Sequence, residues 1–182
     1  MTAKDPERTR QRLIEATLQT LQTRGLNKFS LEEVAQQAGV SKGGLLHHFP
    51  SKENLLEATI QHLLQTFEAL VVNFLAQEPP RPGRWLRAYI RASFEDSENN
   101  SEHSAMLLSF LVDQPARMQI IREDYERWSE RLLNDDVPVP RAIIIRQAAD
   151  ATWIDRLFGL SPDPAIQQGV YDELMSMTEV ES

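Results

Sequence analysis

An all-α fold is predicted by three features of this 182-residue sequence. Apolar residues recur at spacings of three and four almost throughout, the period of a helix face. No segment pairs β-branched alternation with hairpin turn residues. Helix starts and stops are written explicitly as caps, first-turn prolines and terminal glycines.

The first helix is expected from Asp5-Pro6, a cap followed by proline at the first helical position, to Arg24, with Gly25 as its stop. Leu13, Ile14, Ala16, Thr17, Leu18 and Leu21 form its inner stripe. Ser30 caps a second helix and Glu33, three residues on, completes a capping box. Leu31, Val34, Ala35 and Ala38 give that helix its apolar face, and Val40 reads as buried in the turn. Gly39 closes it, because a left-handed residue ends a helix sharply and glycine bears no Cβ penalty there. Ser41 caps a third, short helix that runs to about Phe49 and stops at Pro50. Leu45 and Phe49, four apart, share a face and are assigned to packing on the first helix.

A fourth helix starts after Ser51, with Asn54 three positions on, and runs to about Gln77. Its apolar residues span about 20 positions, roughly 30 Å, long enough to connect a head to a body. Glu78-Pro-Pro-Arg-Pro-Gly83 reads as a linker. Helices are expected next at about 84–97, 104–113 and 115–134, the last with Met118, Ile121, Tyr125, Trp128 and Leu132 on one face. Pro138 and Pro140 open a helix at about 140–159, and Asp163-Pro164 opens the last, to Met177. That makes nine helices.

Composition narrows the class. There is no cysteine, which removes disulfides, thiol catalysis and thiolate metal sites. No apolar run approaches 18 residues, so no membrane span is expected. The polar start MTAKDPERTRQ lacks the apolar core of a secretory signal, and a cytoplasmic location is expected. The net charge of −8 is unevenly spread: residues 1–50 carry seven Lys/Arg against five acids, the remainder twelve against twenty-two. A mildly basic head on an acidic body can dock one face on phosphates. No nucleophile–base pair, H-E-x-x-H or Gly-rich phosphate loop is visible, so an enzyme is not expected, and neither a metal nor a cofactor. Asp150 and Asp155 read as salt-bridge partners.

Helices two and three, joined by a tight turn, are helix-turn-helix architecture, whose second helix enters a DNA major groove. The chain resembles the tetracycline-repressor (TetR) family of transcriptional regulators. The matching residues are the stripe of helix one, Phe29-Ser30-Leu31-Glu32-Glu33-Val34-Ala35, Ala38-Gly39-Val40-Ser41-Lys42-Gly43, Leu45, His48-Phe49-Pro50-Ser51-Lys52-Glu53 and Leu55-Leu56, about 50 residues in all. The resemblance implies a three-helix DNA-reading head, residues 1–50, and a body of about six helices, residues 51–182, that dimerises and often binds a small effector. The chain departs from the family at Leu46 and His47, where an aromatic is usual, and at Gly44, where Thr or Ser is frequent; two phosphate-contacting hydroxyls are thus missing.

The DNA-binding set is Ser30, Ser41, Lys42, Gly43, Gly44, Leu46, His47, His48 and Lys52. Lys42 sits at the reading end of the helix, facing either guanine O6/N7 or a phosphate. Gly43 and Gly44 either let the backbone approach DNA closely or relieve crowding against helix two. His47 and His48 point about 100° apart, too far to share a metal. By the resemblance, His48 reaches a phosphate and His47 faces the groove; a satisfied structural role is the other reading. Leu46 is placed against a thymine methyl, and Lys52, at the start of helix four, against a phosphate. Lys4, Arg8 and Arg10 form either a DNA-contacting arm or a solvated tail.

The last two helices are the expected dimer surface, through Ile143, Ile144, Ala148, Ala151, Ile154, Phe158, Ile166, Val170 and Leu174, since a helix apolar on two sides is buried on two sides; the other reading is that both sides face neighbours within a monomer. A small apolar or aromatic effector is assigned to Phe67, Trp85, Tyr89, Phe94, Met106, Phe110, Tyr125 and Trp128, with Arg87, Arg91 or His103 as polar anchors. The same aromatics would serve any helical core. The reading reached is a homodimeric, DNA-binding repressor released by an effector that prefers the DNA-incompetent state. The alternative is a helical protein-interaction module with weak or lost DNA binding.

Overall fold

The computed structural model describes residues 5–25, 28–96 and 118–180. Among these are eight helices and no strand: α1 (Pro6–Arg24), α2 (Leu31–Gln37), α3 (Lys42–His48), α4 (Lys52–Leu75), α5 (84–96), α6 (Met118–Leu133), α7 (Val139–Leu157) and α8 (Pro164–Ser176). The helix expected at 104–113 lies outside the described residues, as do Lys4, His103, Met106 and Phe110. The described residues fall in two compact units, one of residues up to Leu64 with Met118, the other of residues 65–96 and 119–180.

In the first unit each helix starts where the sequence caps it. Asp5 accepts the backbone N–H groups of Glu7 and Arg8 at 3.1 and 3.4 Å. The capping box at Ser30 closes both ways: Ser30 Oγ accepts Glu33 N–H, and Ser30 N–H donates to Glu33 Oε2, each at 3.3 Å. Ser41 Oγ accepts Gly44 N–H at 3.0 Å, and Ser51 Oγ accepts Asn54 N–H at 3.1 Å. Leu13, Ile14, Leu21, Phe29, Val34, Leu45, Phe49, Leu55 and Leu56 form the core. Leu18 is only half-buried and Thr20 takes the inner place, its hydroxyl satisfied by Ala16 O at 2.7 Å. Val40 is likewise half-buried rather than enclosed.

The α2–α3 turn is held from α1. Gly39 has φ +65°, and the Arg12 guanidinium donates to the Ala38 carbonyl at the end of α2. A Cβ on Gly39 would lie 3.0 Å from that guanidinium. Glycine is thus required twice, by backbone and by space.

The second unit is built on Val71, Leu86, Tyr89, Ile90, Trp128, Leu132, Ile145, Ala149 and Leu174. The stretch expected as a linker is tied in at both ends. Glu78 is buried and accepts Arg87 Nε at 2.7 Å, while Arg87 also donates to Pro82 O at 2.8 Å and faces Thr178 Oγ1 at 3.4 Å. Gly83 donates to Asp135 O at 2.8 Å, and Asp135 Oδ2 accepts Leu86 N–H at 2.9 Å, capping α5. Gly83 has φ +77°, and a Cβ there would sit 2.6 Å from Thr178 O. Proline composition signalled a linker; the buried ion pair of Glu78 and Arg87, two charges that burial obliges to pair, overrode it. Tyr125 departs from the face expected on α6: it is 51% exposed, whereas Trp128 and Leu132 are buried.

Gly39→Ala is expected to destabilise the chain by about 1 kcal/mol or more, because alanine at positive φ is strained and meets Arg12. Urea unfolding checks this; an unchanged midpoint would remove the turn from the list of structural constraints.

Candidate nucleic-acid interface

A face of α3 stays bare because its opposite face is fully used. Leu45 and Phe49 point into the core, whereas Lys42, Gly43, Leu46 and His47 are exposed and form one patch at helical spacing. Leu46 is 37% exposed. His48 is half-buried and its ring meets that of His47 edge-on at 5.7 Å between centroids. Gly43 has nothing within 4 Å of where a Cβ would stand, so it relieves no crowding within the chain. Gly44 differs: its Cβ would come within 3.3 Å of Ser41 Oγ. Of the two readings for the glycines, close approach of a ligand suits Gly43 and local crowding suits Gly44.

The charged members have internal partners that the sequence did not reveal. Lys42 Nζ meets the carboxylate of Glu32, in the first turn of α2. That hydrogen bond holds the Glu32 carboxyl below its ordinary value. Lys52 Nζ donates to Phe29 O at 3.0 Å and lies 4.5 Å from the centre of the Phe29 ring. Lys52, expected against a phosphate, ties the start of α4 to the segment entering α2 through a carbonyl and an aromatic face, which leaves further ammonium donors for a phosphate. Ser30 and Ser41 are caps, as above, and the Ser41 hydroxyl stays at the surface. Arg10 packs over the Phe49 ring at 5.4 Å, and Arg8 is exposed.

In the second unit, Phe67, Tyr89 and Trp128 meet edge-to-face with centroids 5.2–5.8 Å apart. They fill one another's space. The Arg131 guanidinium covers both Trp85 and Trp128, at 5.5 and 5.2 Å. Phe94 belongs elsewhere. It pairs with Tyr171 of α8 beside an open cleft of about 330 Å³, also lined by Pro164, Gln167 and Gln168. Tyr125 lies under the Arg146 guanidinium at 3.5 Å. The Arg87 expected as a polar anchor is enclosed by its own ion pair, and Arg91 reaches Glu78 at 3.5 Å.

A polar chain runs beside the aromatics. Tyr89 Oη donates to Asp150 Oδ1 at 2.5 Å, Arg146 Nε lies 3.6 Å from Asp150 Oδ2, and Arg146 also donates to Ser129 Oγ. Trp128 Nε1–H is buried and has no acceptor among the described residues. The Arg146–Asp150 spacing of four was a readable signal for the pair; Tyr89, sixty-one residues away, was not.

The expected dimer residues divide. Ile143, Ile144 and Ile154 on α7, Phe158 just after it, and Ile166 and Val170 on α8 are exposed, while Ala142, Ile145 and Ala149 face the core. Ala148 and Ala151 are half-buried. Leu174 is a correction: it packs inside its own unit, because the α8 stripe turns inward toward its C-terminal end. No helix among the described residues is long and apolar enough to cross a membrane.

Residues 13–59 match the family model for bacterial regulatory proteins of the tetR family, and residues 83–179 match the tetracyclin repressor-like C-terminal domain. The chain is 37% identical over 102 residues to the HTH-type transcriptional regulator BetI of Pectobacterium carotovorum subsp. carotovorum (strain PC1), covering 56% of this chain and 52% of that one. It is 35% identical over 114 residues to BetI of Yersinia pestis (strain Pestoides F), covering 62% and 58%. The match thus spans little more than half the length of these curated relatives. Among solved structures, a transcriptional regulator from Rhodococcus sp. Rha1 superposes with a TM-score of 0.72 at 23% identity, covering 96% of each chain. The multidrug binding protein EbrR complexed with imidazole superposes at 0.69 with 22% identity, covering 98% of this chain and 93% of that one. At these identities the structures speak for the fold alone.

Burial raises the Asp150 carboxyl above its ordinary value, against the Tyr89 hydrogen bond and the Arg146 charge, which lower it. A folded-state pKa above the unfolded one gives stability that is present at low pH and lost as pH rises through the folded value. The stability difference between Asp150→Asn, fixed in the neutral form, and the parent is therefore expected to shift in the variant's favour as pH rises from about 4 to neutral. Urea unfolding at both pH values measures this; a margin independent of pH would contradict it.

Proposed function

The chain belongs to the TetR family of bacterial regulatory proteins, and on that premise we propose that it is a sequence-specific DNA-binding transcriptional regulator. It works as a homodimer and as a repressor released by a small effector. Residues 1–50 are its DNA-binding domain and residues 51–182 its dimerisation and effector domain. The observation that carries the reading is the bare face of α3, with Lys42, Gly43, Leu46 and His47 outward and Leu45 and Phe49 anchoring the helix from behind. A short helix seated by one face and exposed on the other fits a major groove. Lys42 and Leu46 read base edges, Gly43 brings the backbone close, Ser41 and His48 contact phosphates, and the protein acts in the cytoplasm, where the chromosome is.

One seven-residue helix gives little affinity, so two subunits are needed to read two half-sites. The exposed apolar residues of α7 and α8 support that partnership: Phe158 is 68% exposed and Ile144 53%. Large apolar side chains left exposed on two neighbouring helices are what an association site would cover. For the effector, the buried Trp128 N–H, which has no acceptor among the described residues, supports a ligand that carries a hydrogen-bond acceptor.

Fluorescence anisotropy with duplex from the protein's own upstream region is expected to show tight binding that weakens steeply with salt. Unrelated duplex is expected to bind far more weakly; equal affinity for both would favour a helical interaction module instead. Lys42→Ala is expected to relax preference at one or two base pairs, at a cost of about 1–3 kcal/mol. Ile144→Asp with Phe158→Asp is expected to yield a folded monomer by sedimentation velocity; an unchanged dimer would place the interface elsewhere.

A further inference from the structure

We propose that Glu32 is a specificity-determining residue, an internal anion that steers Lys42 toward base edges and away from phosphates. The inference rests on the DNA-binding reading above and deepens it. Lys42 is the one Lys or Arg in α3, KGGLLHH, and its ammonium is engaged by Glu32 across the α2–α3 turn. Glu32 takes no part in the capping box of α2. The capping box is made by Glu33, which also faces Arg24 at 3.4 Å. Both members of the Lys42–Glu32 pair are exposed on the bare side of the unit, with side chains 52% and 61% accessible. An exposed pair of this kind contributes little stability, so its purpose is not to hold the fold together.

The chemistry follows from the difference between the two acceptors that DNA offers. A lysine ammonium has three N–H donors, and a single carboxylate leaves at least one free. Guanine O6 and N7 are neutral acceptors, so Lys42 can reach them while still paired with Glu32. A phosphate is an anion. To take Lys42 it must approach the Glu32 carboxylate, and the repulsion cancels much of what the ammonium supplies. Lys42 therefore adds little to sequence-independent binding and keeps its value at a guanine. Of the two roles open to Lys42 from sequence, guanine contact and phosphate contact, the placement of Glu32 selects the first.

The test is Glu32→Gln in the full chain, which keeps the size and removes the charge. Affinity is measured for upstream-region duplex and for unrelated duplex over a salt series, alone and in a Lys42→Ala background. Glu32→Gln is expected to tighten binding to unrelated duplex by about three- to tenfold at low salt and to steepen its salt slope by about one unit. Binding to the upstream duplex should tighten less, so the ratio of the two falls. In the Lys42→Ala background the effect should vanish, since no ammonium remains to be steered. An unchanged ratio overturns the proposal, and so does an equal effect with and without Lys42, which would make Glu32 only a diffuse negative charge. If the parent chain itself fails to discriminate between the duplexes, the DNA-binding reading fails and the proposal with it. Discrimination by the parent with no response to Glu32→Gln sinks the proposal alone. Circular dichroism of each variant confirms an intact helical fold, and Glu32→Asp, which keeps the charge, should restore the parental ratio.

Discussion

A seven-residue helix containing two glycines has no stability of its own in water, and α3 exists because Leu45 and Phe49 are buried against the helices around it. Everything proposed for the first unit depends on that attachment. It fixes which residues of α3 are left outward, and it does so from behind, so the outward face is free of structural duty. The turn that delivers α3 is fixed from α1, where Arg12 satisfies the last carbonyl of α2 and Gly39 makes room for it. Helix order, turn geometry and exposed patch are thus one constraint seen at three places.

The second unit is organised around polar groups that burial obliges to find partners. Arg87 and Glu78 are both enclosed, and each is costly alone, so the ends of the 78–83 stretch are drawn together. Asp135 closes the same region by capping α5 with its carboxylate and holding Gly83 with its carbonyl. Thr178, near the C-terminal end of the described residues, packs against both Gly83 and Arg87. Phe67, Tyr89 and Trp128 pack ring against ring, Asp150 takes the Tyr89 hydroxyl, and the Trp128 N–H has no acceptor among the described residues.

Charge tells the same story at the surface. Under the proposed DNA binding, an acidic chain has to keep its few head cations from acting indiscriminately. In this chain Lys42, Lys52 and Arg24 each have an oxygen partner from another part of the first unit. Such partners weaken sequence-independent attraction, and the cations that remain useful are those whose partner tolerates a neutral acceptor.

Local signals were enough for most of the architecture. The caps at Asp5, Ser30, Ser41 and Asp163, the stop at Gly39 and the spacing of Leu45 and Phe49 are short-range chemistry, complete within four residues of chain, and the structure has them as the sequence reads. The exposed side of α3 followed from the same period. What tertiary structure alone decided was which polar side chains meet. Lys52 meets Phe29 across 23 residues, Arg12 meets Ala38 across 26, and Tyr89 meets Asp150 across 61. Periodicity places a residue on a face, but a hydrogen bond forms only where two faces from distant segments are brought within about 3 Å. The same reason sent Leu174 inward and Tyr125 outward, since a stripe on one helix is buried only as far as its neighbours extend over it.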